Sequence, residues 1–107
     1  MNNRRASERH AQPRAAVQIR PFDRRNVVAG TALNLSEGGA LIELARAGGK
    51  QPAGFVLLEL DIEGAPSRLE AVVQRTEERR GRARLALRFV HLGEHERHAL
   101  RRHLRNG

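Results

Sequence analysis

The stretch Ala83-Arg84-Leu85-Ala86-Leu87-Arg88-Phe89-Val90 alternates with period two. Ala83, Leu85, Leu87 and Phe89 fall on one side, while Arg84 and Arg88 fall on the other. A strand with one face on a core and one in water needs this pattern. Upstream, Leu69, Ala71 and Val73 share a face in a fifth strand, joined to the first stretch by a charged hairpin loop at 77–82 around Gly81. Val56, Leu58, Leu60 and Ile62 mark a further strand, which ends at the turn signal Glu63-Gly64-Ala65-Pro66. Residues 40–44 and 27–35 read as two more strands. The first strand starts at Ala15 with Val17 and Ile19 inward and is broken by Pro21 and Asp23-Arg24-Arg25.

After Gly93 the period changes. Leu100 and Leu104 lie four apart, Glu94 and Glu96 stand near the start, and Arg101, Arg102 and Arg105 stand near the end. That charge order complements a helix dipole. Six short strands and one terminal helix predict an all-β fold: a small, six-stranded antiparallel barrel, closed or nearly closed, with a C-terminal α-helix at about 93–105. The helix is expected to plug one mouth or cover one side. Residues 1–14 are polar, basic and without period, and Pro13 opposes a helix through them. They read as a basic N-terminal arm ahead of a barrel domain at 15–107.

A chain of 107 residues suits one domain with one modest core. The formal net charge of +8 points to anionic partners. Nearly all the cations are arginine, with Lys50 the only lysine; the arginine fork suits phosphate and guanine. With no Trp or Tyr and three Phe, stacking on single-stranded nucleic acid is poorly provided for. The absence of cysteine excludes disulfides, thiolate metal sites and a cysteine nucleophile. No apolar run approaches the roughly 20 residues that span a bilayer, and the start of the chain lacks the apolar stretch of a secretory signal. A cytoplasmic protein without membrane insertion is expected.

Asn34-Leu35-Ser36-Glu37-Gly38-Gly39 carries the most chemical information. An extended chain puts Asn34 and Ser36 on one face with Leu35 toward the core. Gly39 is expected to adopt a conformation closed to other residues and to let a ligand approach. An amide, a hydroxyl and backbone groups around one small patch could hold a flat, hydrogen-bonding base. The same residues also build ordinary turns. Upstream, Arg4, Arg5, Arg9 and Arg14 are spaced along the arm, where they could fold over an anion. His95-Glu96-Arg97-His98 falls one residue short of a zinc-helix spacing and lacks a third ligand, so the histidines read as surface residues. Ser7, Ser36 and Ser67 lack the setting of a nucleophile. No acid–base, nucleophile or metal constellation emerges, so an enzyme is not expected.

Arm and motif together resemble the PilZ family, whose signature is R-x-x-x-R on an N-terminal arm followed by [D/N]-x-S-x-x-G. Asn34, Ser36 and Gly39 match the second part in full. The resemblance extends from about Glu8 to Leu104 and includes Gly30-Thr31-Ala32-Leu33 and Leu87-Arg88-Phe89-Val90. It implies a six-stranded barrel that binds cyclic di-GMP, with no other cofactor and no metal. It also implies that arm arginines hold phosphates and guanine edges while the Asn and Ser hold a guanine. The ligand residues so implied are Arg5, Arg9, Arg14, Asn34, Ser36 and Gly39.

Two registers of the arm remain open. Arg5-Ala6-Ser7-Glu8-Arg9 satisfies R-x-x-x-R literally. A gapless run into the first strand instead uses Arg9 and Arg14 and puts His10 where the family has an arginine. The leading expectation is a non-enzymatic receptor whose arm closes on cyclic di-GMP and changes its contacts with an unidentified protein partner, as a monomer or homodimer. One alternative is a degenerate PilZ-like interaction module that does not bind the nucleotide. The other is a nonspecific nucleic-acid binder, suggested by the charge, while specific nucleic-acid recognition is not expected.

Overall fold

The computed structural model describes residues 15–22, 26–45 and 51–106. Six strands form a closed antiparallel barrel in the order β1-β2-β3-β6-β5-β4, with β4 pairing back onto β1. They are β1 (Ala15–Pro21), β2 (Val28–Leu35), β3 (Gly39–Leu44), β4 (Phe55–Ile62), β5 (Ala65–Arg79) and β6 (Arg82–His91). One helix, α1 (Glu94–Asn106), follows. The expected six-stranded barrel with a C-terminal helix is the fold observed. None of the helices described is long and apolar enough to cross a membrane.

The inward faces follow the alternation. Val17 and Ile19, Val56, Leu58, Leu60 and Ile62 of β4, and Ala83, Leu85, Leu87 and Phe89 of β6 all enter one core. Ile19, Ile42, Val56, Leu58, Leu69 and Leu85 are among its fully buried members. Burying a Val, Leu or Ile side chain stabilises by roughly 1.5–3 kcal/mol, so this shared core outweighs any surface contact in the molecule. Val73 was expected inward beside Leu69 and Ala71, but it is only partly buried. Its amide bonds the Gly54 carbonyl at 2.9 Å, one residue before β4 begins.

Three local expectations need correction. Pro21 does not break β1; it is the strand's last residue, paired with Val56 and buried. Position 21 is a strand end, where the missing N–H of proline costs no ladder bond. The turn at Glu63-Gly64 uses only those two residues, and Ala65 and Pro66 already belong to β5. The loop expected at 77–82 is a ladder that closes on Arg80-Gly81, making β5 fifteen residues long. Both turns place two successive residues at positive φ: Glu63 at 53° with Gly64 at 82°, and Arg80 at 54° with Gly81 at 76°. This is the type I′ geometry that matches strand twist. Charged residues in β5 read as loop because water solvates this outer half, yet hairpin pairing still organises it.

The β2–β3 loop and the β4–β5 turn lie at one end of the barrel, and α1 reaches both. Arg101 Nε donates to Glu37 Oε1 at 3.1 Å, and His103 Nδ1 lies 3.1 Å from Glu63 Oε2. Ala99 and Leu100 join the core, and Leu100 is fully buried. The helix therefore lies across that end. Leu104 is only partly buried, so the apolar stripe is a single turn deep.

Arg80 occupies a left-handed position where Asn, Asp or Gly is the usual residue. Arg80→Asn is expected to raise stability by roughly 0.5–1 kcal/mol, read as a higher urea midpoint with an unchanged denaturant slope.

Candidate functional site

The motif loop is built by Ser36. Its N–H donates to the Gly39 carbonyl at 2.9 Å. Its hydroxyl accepts from the Gly38 and Gly39 amides at 3.2 Å each and donates to the Gly39 carbonyl at 3.2 Å. Leu35, buried, pins the entry to the loop, and the Phe89 amide bonds the Gly38 carbonyl at 2.9 Å to fix the exit. The serine is thus a turn-shaping residue in this structure, on an exposed loop.

Gly39 is needed for a different reason from the one expected. It is not among the glycines at positive φ, which are Gly54, Gly64 and Gly81. A Cβ built on Gly39 would instead fall on the Leu87 carbonyl oxygen of β6. Close approach of another strand requires this glycine, and that strand, not a ligand, occupies the space.

Asn34 is exposed on the outer face, as the alternation predicts. A bulge puts it there. Ala32 pairs with Ile42 and Asn34 with Leu41, so Leu33 is an extra residue in β2. Were Leu33 paired in the ladder instead of bulged out of it, strict alternation after Ala32 would turn Asn34 inward and Leu35 outward. A second bulge occurs across the sheet, where Val73 pairs with Leu87 and Arg75 with Ala86, leaving Gln74 extra. The two bulges flank one cross-strand row: Asn34, Leu41, Ala86 and Arg75. Bulges bend and twist the strands that carry them. The result is a shallow dish of about 420 Å³. Its floor is Leu41 and Ala86, and Asn34 and Arg75 stand at the two ends of this four-strand row.

Two arginines not singled out by the sequence line the dish. Arg88, exposed, pairs across the ladder with Gly39. Arg75 sits at the second bulge with its Nε 2.8 Å from Glu77 Oε2. Alternation had already placed Arg88 outward. What alternation cannot supply is the β3–β6 register that brings it beside the motif. Of the six residues implied as ligand-binding, Asn34, Ser36 and Gly39 come together here. Arg5, Arg9 and Arg14, like His10, lie outside the described residues. Their strand of attachment begins at Ala15, which pairs with Ala32, two residues before Asn34.

Larger concavities lie elsewhere, each around a carboxylate that is already ion-paired. One of about 670 Å³ surrounds Glu59, which takes Arg20 at 3.3 Å and Arg68 at 3.2 Å. Another of about 740 Å³ surrounds Glu43, which takes Arg82 at 3.2 Å and Arg84 at 3.3 Å. No group of three or more metal-ligating side chains occurs among the described residues.

A family model described as the PilZ domain matches residues 3–106. The chain belongs to the PilZ family. Solved PilZ structures share its barrel. The PilZ domain of YcgR from Escherichia coli, solved with c-di-GMP, is similar at a TM-score of 0.69 and 19% identity, over 84% of this chain and 78% of that one. The PilZ domain of CeSA from a cellulose-synthesising bacterium gives 0.63 and 19%, over 85% and 89%. The Bacillus subtilis inhibitor of motility MotI gives 0.69 and 21%, over 87% of this chain but 46% of that protein. No match is found among curated proteins.

Two substitutions separate the roles in the PilZ loop. Gly39→Ala drives a methyl into the β6 backbone and should cost about 3 kcal/mol, seen as a large fall in melting temperature. Ser36→Ala removes turn bonds at the surface and should cost only about 0.5–1.5 kcal/mol, with cooperative melting retained.

Proposed function

We propose that this PilZ protein is a non-enzymatic, cytoplasmic receptor for cyclic di-GMP. The observation that carries the reading is the dish itself. In a PilZ barrel, the exposed Asn34 and the Ser36 turn face the same hollow as Arg88 and Arg75. Cyclic di-GMP presents two guanines and two phosphates. Asn34, with its donor and acceptor, suits a guanine edge, and the apolar floor of Leu41 and Ala86 suits a flat base. Arg88 and Arg75 suit guanine O6 and N7 or a phosphate, because their forks bond bidentately. The domain supplies a preformed floor and one wall. Arg9 and Arg14 of the arm supply the rest by closing over the ligand, and closure changes the surface offered to a protein partner.

A second reading rests on two particular observations. His10 stands where the gapless register would have an arginine, and a neutral imidazole cannot make the bidentate contact. The Ser36 hydroxyl is also committed to its own turn. Both favour a degenerate interaction module that keeps the PilZ barrel without the nucleotide.

Calorimetry with cyclic di-GMP decides between them. Heat with micromolar or tighter affinity supports the receptor, and no heat at high micromolar ligand leaves the interaction module. Within the receptor reading, Asn34→Ala should weaken binding by roughly 0.5–1.5 kcal/mol, and more if a charge takes part, without lowering the melting temperature. The arm register gives a sharper outcome. Arg14→Ala should cost roughly 1.5–3 kcal/mol, about ten- to a hundredfold in affinity. The Arg4→Ala/Arg5→Ala double should act mainly through long-range attraction screened by salt. His10→Arg should tighten binding. Abolition by the double with Arg14→Ala harmless would show that Arg5 and Arg9 are the working pair.

A further inference from the structure

The chain has three aromatic residues, Phe22, Phe55 and Phe89. Phe89 belongs to the core, whereas Phe22 and Phe55 are 65% and 57% exposed. The exposed two are neighbours. Pro21 pairs with Val56 across β1 and β4, and the next amide, that of Phe22, donates to the Phe55 carbonyl at 3.3 Å. Both side chains therefore leave the outer surface from directly opposed positions. A single exposed hydrophobe is ordinary; an opposed aromatic pair, on a chain so poor in aromatics, is a concentrated apolar patch.

The strand register carries this patch toward the dish. Phe55 pairs with Val72, Val72 with Arg88, and Arg88 with Gly39. Val72 is half-buried on the same outer face. Over two strand spacings, Phe55 lies about 10 Å from Arg88. Arg88 is thus a border post shared by the aromatic patch and the candidate nucleotide site.

We infer that Phe22 and Phe55 anchor a docking surface for a partner protein of net acidic charge with an apolar recess, and that occupancy of the adjoining dish alters its affinity. The coupling half rests on the cyclic di-GMP reading; the docking half does not. Aromatic anchors within a polar rim are the anatomy of interfaces in which a few residues carry most of the affinity. Arg20, 47% exposed at its side chain, and Arg88 supply rim cations. The net charge of +8 opposes a second copy of this chain and draws in an acidic partner. The chain's own arm, residues 1–14, has Met1 as its only large apolar side chain and joins at the opposite end of β1 from Phe22.

The test uses the full chain with a photoreactive residue, Phe55→p-benzoylphenylalanine, and a control at the exposed Asp61, Asp61→p-benzoylphenylalanine. Each is irradiated in a lysate of the producing cells. A protein captured at position 55 but not at 61 is then purified. It is titrated against the wild-type chain and a Phe22→Ser/Phe55→Ser double, with and without saturating cyclic di-GMP. The expected result is an acidic protein that binds the wild type, loses about tenfold or more in affinity for the double, and changes affinity when the nucleotide is present. If the double melts early, Phe22→Leu/Phe55→Leu, which keeps apolar surface without rings, replaces it in the comparison.

The docking surface is overturned by capture of the same proteins at both positions, by adducts with the chain itself or with nucleic acid, or by equal affinity for wild type and double. Nucleotide binding that leaves the partner's affinity unchanged overturns the coupling alone. A ring-dependent complex without any calorimetric cyclic di-GMP binding sinks the receptor reading and leaves the docking surface standing.

Discussion

At Gly39 the backbone of β3 comes so close to the Leu87 carbonyl of β6 that no side chain fits between them. The β3–β6 contact joins strands from opposite halves of the sequence, and without it the sheet does not close. It also sets the register that puts Arg88 beside Gly39 and Ala86 beside Leu41. The Ser36 turn, held by amides of Gly38 and Gly39, and the Phe89-to-Gly38 hydrogen bond both hang from the same point. Barrel closure and the candidate site therefore share one steric requirement. Damage to that contact removes both together, whereas damage to Asn34 or Arg88 touches only the surface.

Surface electrostatics follow a simple stoichiometry. Glu43 and Glu59 each face two arginines on neighbouring strands. Each carboxylate cancels one cation and leaves the other's charge uncompensated, so the outer wall stays positive even where it is densely paired. Such half-exposed pairs contribute little to stability, of order 0–1 kcal/mol each. Their effect is to hold long arginine side chains against the sheet. Arg101 does the same for α1, tying the helix to Glu37 in the motif loop.

Much of the barrel could be read in the chain because period two is a local signal. The alternation in β4 and β6 named their buried residues, and Leu35 between Asn34 and Ser36 oriented the motif. The end of β5 was missed for a physical reason: residues 74–80 are exposed and charged, and only the pairing with β6, closed by Arg80-Gly81, makes them a strand. Gly39 was read as a glycine of backbone freedom, but the relevant neighbour, Leu87, lies far away in sequence. The same limit hid Arg75 and Arg88. Their outward direction follows from local pattern, whereas their nearness to Asn34 follows from non-local register and two bulges.

Those bulges have a consequence for chain length. Leu33 and Gln74 each add one residue without changing which neighbours face inward, because the ladder skips them. A one-residue deletion at either position would keep Asn34, Leu35 and Arg75 on their present faces while straightening the strand. The hydrophobic code would read the same, and every side chain named in the site would survive. The hollow between them would flatten. Concavity at this dish is thus written in residue count, at the two supernumerary positions beside it, and can be tuned by insertion and deletion independently of the chemistry displayed on its rim.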